Sequence, residues 1–288
     1  MSPVIAVTGA SGRVGGRIAR RLADEGAAPR LLGRDPARLP RLAGSSLAPG
    51  AAYGDGEAMR RACDGAGTLF LVSAREAPDR VSDHRTAVDA AVAAGVERIV
   101  YVSFLGAAPD ATFTFARDHW HTEEYVRASG LRHTFLRDSF YLAALAGMAG
   151  PDGVIRGPAG AGRVSAVAHD DVADAAVGVL LGEGHDGRAY ELTGPTALTL
   201  AEAAEELSRF AKREVVYEPE TREQAYASRA GYGAEAWELA GWVTSYEAIA
   251  TGEMAAVSDA VPRLAGRPAT DFAEFLEGNP EAYAHLLT

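Results

Sequence analysis

Residues 3–26 read PVIAVTGASGRVGGRIARRLADEG. An apolar run ends in three glycines at even spacing, Gly9, Gly12 and Gly15, and then Ile18 and Leu22 recur at helical distance up to Gly26. The pattern predicts a strand, a tight loop and a helix. Such a loop suits one ligand chemistry. A pyrophosphate reaches backbone amides only where no Cβ intervenes, and a helix N-terminus adds free N–H groups and a positive dipole end. Thr8 and Ser11 contribute hydroxyls, and Arg13 and Val14 complete the loop.

The same alternation continues. Apolar runs at 29–35, 68–74, 98–106, 131–141 and 188–194 read as strands, with helical patterns at 57–66, 79–96 and 115–130 between them. Strands alternating with helices, the strands almost continuously apolar, imply a parallel sheet covered on both faces. The fold class expected is α/β: a Rossmann-type, doubly wound parallel sheet with a smaller C-terminal α/β substrate-binding region. A Gly/Pro-rich stretch at 150–163 marks the seam. Residues 1–150 would form the dinucleotide domain, with 163–185 returning to it, and 151–288 the substrate region.

The chain has 288 residues, and 39 acidic against 28 basic side chains give a net charge of −11. That balance disfavours nucleic acid, which needs clustered Lys and Arg. No run of 18 apolar residues suggests a membrane span, and MSPVIAVTGA shows no basic leader. The single cysteine, Cys63, fits a buried hydrophobe in a reducing, cytoplasmic setting. His169, Asp170 and Asp171 read as the cap of the helix that follows, and no metal is expected.

The end of the second strand chooses between dinucleotides. Gly33 leaves room, and Arg34, with Arg13, can pair with a ribose 2′-phosphate, which favours NADP; Asp35 keeps NAD open. Asp55 is placed to accept from the adenine amine, to cap the helix at 57, or to do both. Val72 and Ser73 end the strand at 68–74 and are expected along the same edge. In FARDHWHTEEYVRASG, residues 115–130, Phe115, His119 and Val126 share one face, with Trp120 at its edge and His121 pointing outward.

These residues resemble the short-chain dehydrogenase/reductase superfamily, and within it the atypical NmrA-like branch near the bacterial type-2 NAD(P)H:quinone oxidoreductases. The resemblance is carried by VTGASGRVGG, GRDPARL, TLFLVSA, YVSFLGA, the H-x-x-T-E run from His119 to Gly130, HTFLRDSFY, SAVAHDDVADAAV and YELTGPTALTLAEAAEELS, nearly the whole chain. It implies a catalytic serine position at Ser103. It also implies that the superfamily's Tyr-x-x-x-Lys pair falls on Phe115 and His119. Phenylalanine donates no proton, and the one lysine, Lys212, lies far outside this helix.

Hydride added to a simple ketone leaves a strongly basic alkoxide that needs a positioned acid; hydride added to a quinone leaves a weakly basic phenolate. The missing pair therefore favours a quinone or similarly conjugated acceptor. By the resemblance, His119 would sit near the nicotinamide ribose, orienting the cofactor or relaying a proton; the alternative is a histidine satisfied within the core. Phe104, Phe140 and Tyr141, after strand ends, are candidates to stack on a flat acceptor, and Trp120 either joins them or packs inside. Asp138 stands where the quinone reductases carry asparagine. The leading expectation is an NADPH-dependent quinone reductase acting on a small-molecule acceptor, with a homodimer open. The alternatives are a reductase of a C=C, imine or polycyclic biosynthetic intermediate, and a non-catalytic NAD(P) sensor that binds a protein partner.

Overall fold

A computed structural model describes residues 3–287. Strand β1 (Val4–Val7) runs into the glycine loop and helix α1 (Arg13–Asp24). After it come β2 (Arg30–Leu31), β3 (Ser46–Leu47), α2 (Gly56–Cys63), β4 (Ala66–Leu71), α3 (Arg80–Ala93), β5 (Arg98–Phe104), α4 (Thr114–Ala128) and β6 (Arg132–Asp138). The chain continues through α5 (Leu142–Ala146), β7 (Val154–Gly157), β8 (Arg163–Val164), α6 (His169–Leu181) and β9 (Arg188–Leu192). It closes with β10 (Leu198–Thr199), α7 (Leu200–Ala211), β11 (Val216–Pro219), α8 (Arg222–Arg229), α9 (Ala236–Ala250), α10 (Ala260–Ala265) and α11 (Phe272–Gly278).

Seven strands form one parallel sheet in the order β3-β2-β1-β4-β5-β6-β9. This is the Rossmann-like architecture. Every residue of β5 is buried, because successive side chains enter different layers. Val100 and Val102 pack with α1 and α6, whereas Ile99 and Tyr101 pack with α2 and α3. Cys63 is buried in the second layer, where burial pushes its thiol up to about 11.

The strand expected at 29–35 keeps regular ladder register only over Arg30–Leu31, though Leu32 still bonds to the Val7 carbonyl and the Gly33 carbonyl accepts from the Ala51 amide. Beyond 150, the chain does not keep to itself. α6 packs on α1, and β9 joins the main sheet beside β6. The remaining strands form two small ladders, β8 with β10 and β7 with β11. A third apolar layer, built from α5, α7, α11 and part of α9, lies against Phe104 and Phe140 at the carboxyl ends of β5 and β6.

The HDD triplet does not cap α6 as expected. Ala168 is the N-cap and makes no side-chain cap bond. Asp170 instead pairs with Arg17 and Arg21 of α1, and Asp171 accepts from the Thr270 amide at 2.8 Å. Carboxylates in the first turn still complement the helix dipole.

Gly178 lies inside α6, where glycine ordinarily costs helix stability. It is needed because α10 approaches closely: a Cβ there would stand 2.2 Å from the Leu264 carbonyl oxygen. Gly178→Ala is therefore expected to destabilise the chain by about 1–3 kcal/mol through overpacking, despite its better helix propensity. Urea unfolding checks this, and an unchanged or raised midpoint contradicts it.

Candidate active site

The carboxyl edge of β1, β2 and β4 opens into a cleft of about 850 Å³. Its floor is the glycine loop: Thr8, Gly9 and residues 11–15 all line it. The loop is tight because a Cβ at position 15 would lie 2.5 Å from the carbonyl oxygens of both Thr8 and Gly9. Gly12 caps α1 without any side-chain bond, and the first turn carries no acidic residue. The helix amides thus face the cleft with no competing carboxylate, which fits a bound pyrophosphate.

Thr8 ties the floor together. Its Oγ1 donates to the Phe70 carbonyl at 3.2 Å and accepts from the Val72 amide at 2.9 Å. Tyr53 donates into the same knot, its Oη 2.6 Å from Thr8 Oγ1 and 2.7 Å from the Val72 carbonyl. Tyr53 was not among the expected residues, although its place just before the Gly54–Asp55 turn aims it at the strand edge. Val72, Ser73, Gly33 and Arg34 line the cleft where expected. Asp35 is absent from the lining and accepts from the Ala37 amide at 2.9 Å. Asp55, of its two readings, makes the helix cap, accepting from the Ala58 amide at 2.9 Å, and it is not a wall residue.

His119 lies inward, as its helical face predicts, but it is 5% exposed and does not reach the cleft wall. Arg80 of α3, itself 3% exposed, explains why. Its Nε donates to the Ala74 carbonyl at 2.9 Å, and its Nη2 lies 3.0 Å from His119 Nε2. A guanidinium only donates, so Nε2 must accept. The ring proton is then on Nδ1, which donates to Tyr101 Oη at 3.0 Å. Burial first, and Arg80 second, hold His119 well below the ordinary imidazole range. In this state the ring's one proton is committed to Tyr101 and its free nitrogen to Arg80. His84 is fixed alike: Nε2 accepts from the Ala74 amide at 2.8 Å, Nδ1 lies 2.9 Å from Thr122 Oγ1, and burial pushes it down to about 3. Arg80 and His84 stand four apart on the inner face of α3, a pairing visible in APDRVSDH but not weighed in the reading of the sequence.

Ser103 turns away from the cleft. Its hydroxyl donates to Glu123 Oε1 at 2.6 Å, and this buried carboxylate also binds Arg137 at 2.6 Å and Arg127 at 2.9 Å. Phe104 and Phe140 pack edge-on at 5.0 Å, with Phe113 5.2 Å from Phe104, so their rings fill an apolar cluster rather than forming the cleft wall. Phe115 lies 5.4 Å from Phe113 and 5.9 Å from Trp237. Trp120 rests on His121 at 4.9 Å, also off the wall.

Of the expected acceptor residues, Tyr141 alone lines the cleft. Its ring stacks on His169 at 3.8 Å, and its hydroxyl donates to Asp138 Oδ2. Asp138 is 4% exposed and lies behind Tyr141; burial raises its carboxyl to about 7. Burial, with Arg17 and Arg13 nearby, lowers His169 to about 4.

Comparison with known proteins gives the arrangement a context. A family described as NAD(P)H-binding matches residues 9–183. A (4-alkanoyl-5-oxo-2,5-dihydrofuran-3-yl)methyl phosphate reductase of Streptomyces griseus is 38% identical over 98% of this chain and 99% of its own. An NAD(P)H azoreductase of Xenophilus azovorans is 33% identical over 97% and 99%. The crystal structure of an Escherichia coli NADPH-dependent quinone oxidoreductase, complexed with NADPH, superposes with a TM-score of 0.87 at 31% identity, covering 95% of this chain and 99% of that one.

The three suppressed rings set a pH dependence of stability. Unfolded histidines take up protons below about 6.5, whereas His84, His119 and His169 in the folded chain refuse them until far lower pH. Stability present above about pH 6.5 is therefore lost on acidification, by up to roughly 1.4 kcal/mol per pH unit for each ring. Asp138, protonated in the folded chain at about 7, offsets one ring. The urea midpoint should fall between about pH 6.5 and 5; a level or rising midpoint contradicts the neutral, locked rings.

Proposed function

We propose that this NAD(P)H-dependent reductase, which belongs to the NAD(P)H-binding family and resembles the NmrA-like, atypical branch of the short-chain dehydrogenase/reductases, passes hydride to a quinone or a similarly conjugated acceptor. The observation that carries the reading is the state of α4. At the two positions where the resemblance puts the superfamily's acid pair stand Phe115, packed among aromatic rings, and His119, whose free nitrogen is taken by Arg80. Neither places a proton in the cleft. Acceptors whose negative charge is delocalised after reduction tolerate that loss best.

When bound, the reduced nicotinamide supplies the hydride. The amides at the start of α1 are suited to hold the pyrophosphate, and Arg34 with Arg13 a ribose 2′-phosphate. Asp35, the residue suited to an unphosphorylated ribose, is engaged by its own turn, which supports NADPH over NADH. The Thr8–Tyr53–Val72 knot keeps the floor rigid, and the Arg80–His119–Tyr101 chain braces α3 and α4 against β5.

A second reading has a specific observation in its favour. The compound in the name of the Streptomyces relative carries a C=C conjugated to carbonyl groups, and that relative matches this chain almost end to end. Reduction of such a bond in a biosynthetic intermediate uses the same cleft and the same hydride.

Loss of NADPH absorbance on adding simple quinones tests the first reading. Turnover is expected; no oxidation above background, with NADPH demonstrably bound, contradicts it. In Arg34→Ala, NADPH affinity should fall about tenfold or more, the scale of one charge-assisted contact, while NADH affinity barely moves. Equal losses for the two dinucleotides would show that Arg34 does not read the 2′-phosphate.

A further inference from the structure

We propose that Tyr141, supplied with a proton by Asp138, is the acid that protonates the reduced acceptor. The inference rests on the conjugated-acceptor reading and widens it to acceptors whose reduced anion is strongly basic, such as azo groups and conjugated carbonyls.

The geometry has three parts. Tyr141 follows the carboxyl end of β6 and lines the cleft. Its ring is held flat against His169, so its hydroxyl has a fixed place. That hydroxyl bonds to a single buried carboxylate, Asp138, the last residue of β6. The charged and titratable groups around the pair are Arg80 of α3, Glu76 before it, and His169 of α6, with Arg13 and Arg17 of α1 beyond the imidazole. Burial outweighs the Tyr141 hydrogen bond and Arg80 and leaves Asp138 titrating at about 7, where it holds and releases a proton at neutral pH, while burial and Asp138 push the Tyr141 hydroxyl up, so that it gives up its proton only as Asp138 replaces it.

The two protonation states differ in what Tyr141 offers. With Asp138 ionised, the tyrosine proton is spent on the carboxylate. With Asp138 protonated, its O–H donates to Tyr141 Oη and frees the tyrosine proton for the cleft. An acceptor that has gained a hydride has formed one C–H or N–H bond, and the electron pair of its π bond has moved to its terminal oxygen or nitrogen. That atom takes the Tyr141 proton, Tyr141 takes the Asp138 proton, and the Asp138 carboxylate recovers a proton from solvent. The sum is one hydride and one proton added to the acceptor, a two-electron reduction. Tyr141 is the catalytic residue; Asp138 acts through it and is a positioning residue.

Tyr141→Phe keeps the ring on His169 and removes only the hydroxyl. It should slow single-turnover reduction of an azo or conjugated-carbonyl acceptor by about 100-fold or more, the scale of general acid catalysis, and slow a quinone far less. NADPH affinity by fluorescence titration should be unchanged, and the solvent deuterium isotope effect on the azo reaction should disappear. Asp138→Asn should remove from the kcat profile the limb that falls as pH rises through about 7. The pair is also visible without cofactor: the Asp138 carboxyl carbon, followed by ¹³C NMR in the unliganded chain, should titrate near 7 rather than near the ordinary value of about 4. Equal small effects of Tyr141→Phe on both acceptor classes, an unmoved pH limb in Asp138→Asn, or an ordinary Asp138 titration overturns this proposal alone. A wild-type chain that binds NADPH and reduces neither class overturns it together with the conjugated-acceptor reading.

Discussion

No side chain fits at position 15. The carbonyls of Thr8 and Gly9 occupy the space where its Cβ would stand, so β1 can turn directly into α1 and leave the helix amides facing outward. The rest of the site is arranged around that turn. Thr8, the first residue after β1, accepts from the Val72 amide, so the floor and the edge of β4 move as one piece. Arg34 lines the cleft just past β2, where Leu32 still bonds to the Val7 carbonyl and the Gly33 carbonyl accepts from the Ala51 amide. A loop of this kind gives backbone recognition of a pyrophosphate without using any charged side chain for it.

The opposite side of the cleft is governed by a donor that cannot accept. Arg80 forces the tautomer of His119, and through it the partner role of Tyr101. On our account α4, the helix on which the resemblance would place an acid pair, is here a neutral brace. On our account, protonation passes to the end of β6, where Tyr141 and Asp138 share a proton in a site dry enough to raise the carboxyl. Moving the acid from α4 to β6 relaxes the demand that the acceptor be a quinone. The missing Tyr-x-x-x-Lys then describes where the acid is absent, and a different tyrosine answers where it is found.

Much of this was legible in the sequence, for physical reasons that also mark the limit. The strand–loop–helix at 3–26 and the alternation after it follow from periodicity and glycine spacing, both local properties. The glycine loop, Arg34, Val72, Ser73 and Tyr141 line the cleft because strand ends in a parallel sheet share one edge. Helical phase also turned His119 inward. Phase does not say what an inward ring meets, and its partner Arg80 lies 39 residues earlier. Ser103 follows the same rule: its partner Glu123 comes from another element, and only the packed structure pairs them. Phe104 and Phe140 were read as a stacking surface because they follow strand ends. The third apolar layer, assembled from distant helices, draws them inward instead.

A crystal structure of the chain with NADPH tests the central claim most directly. The account predicts the pyrophosphate against the amides of residues 13–15, the 2′-phosphate beside Arg34, and the nicotinamide at the end of the cleft lined by Tyr141. A dinucleotide bound elsewhere, or one whose nicotinamide lies away from Tyr141 with another side chain presenting a proton to it, would contradict it.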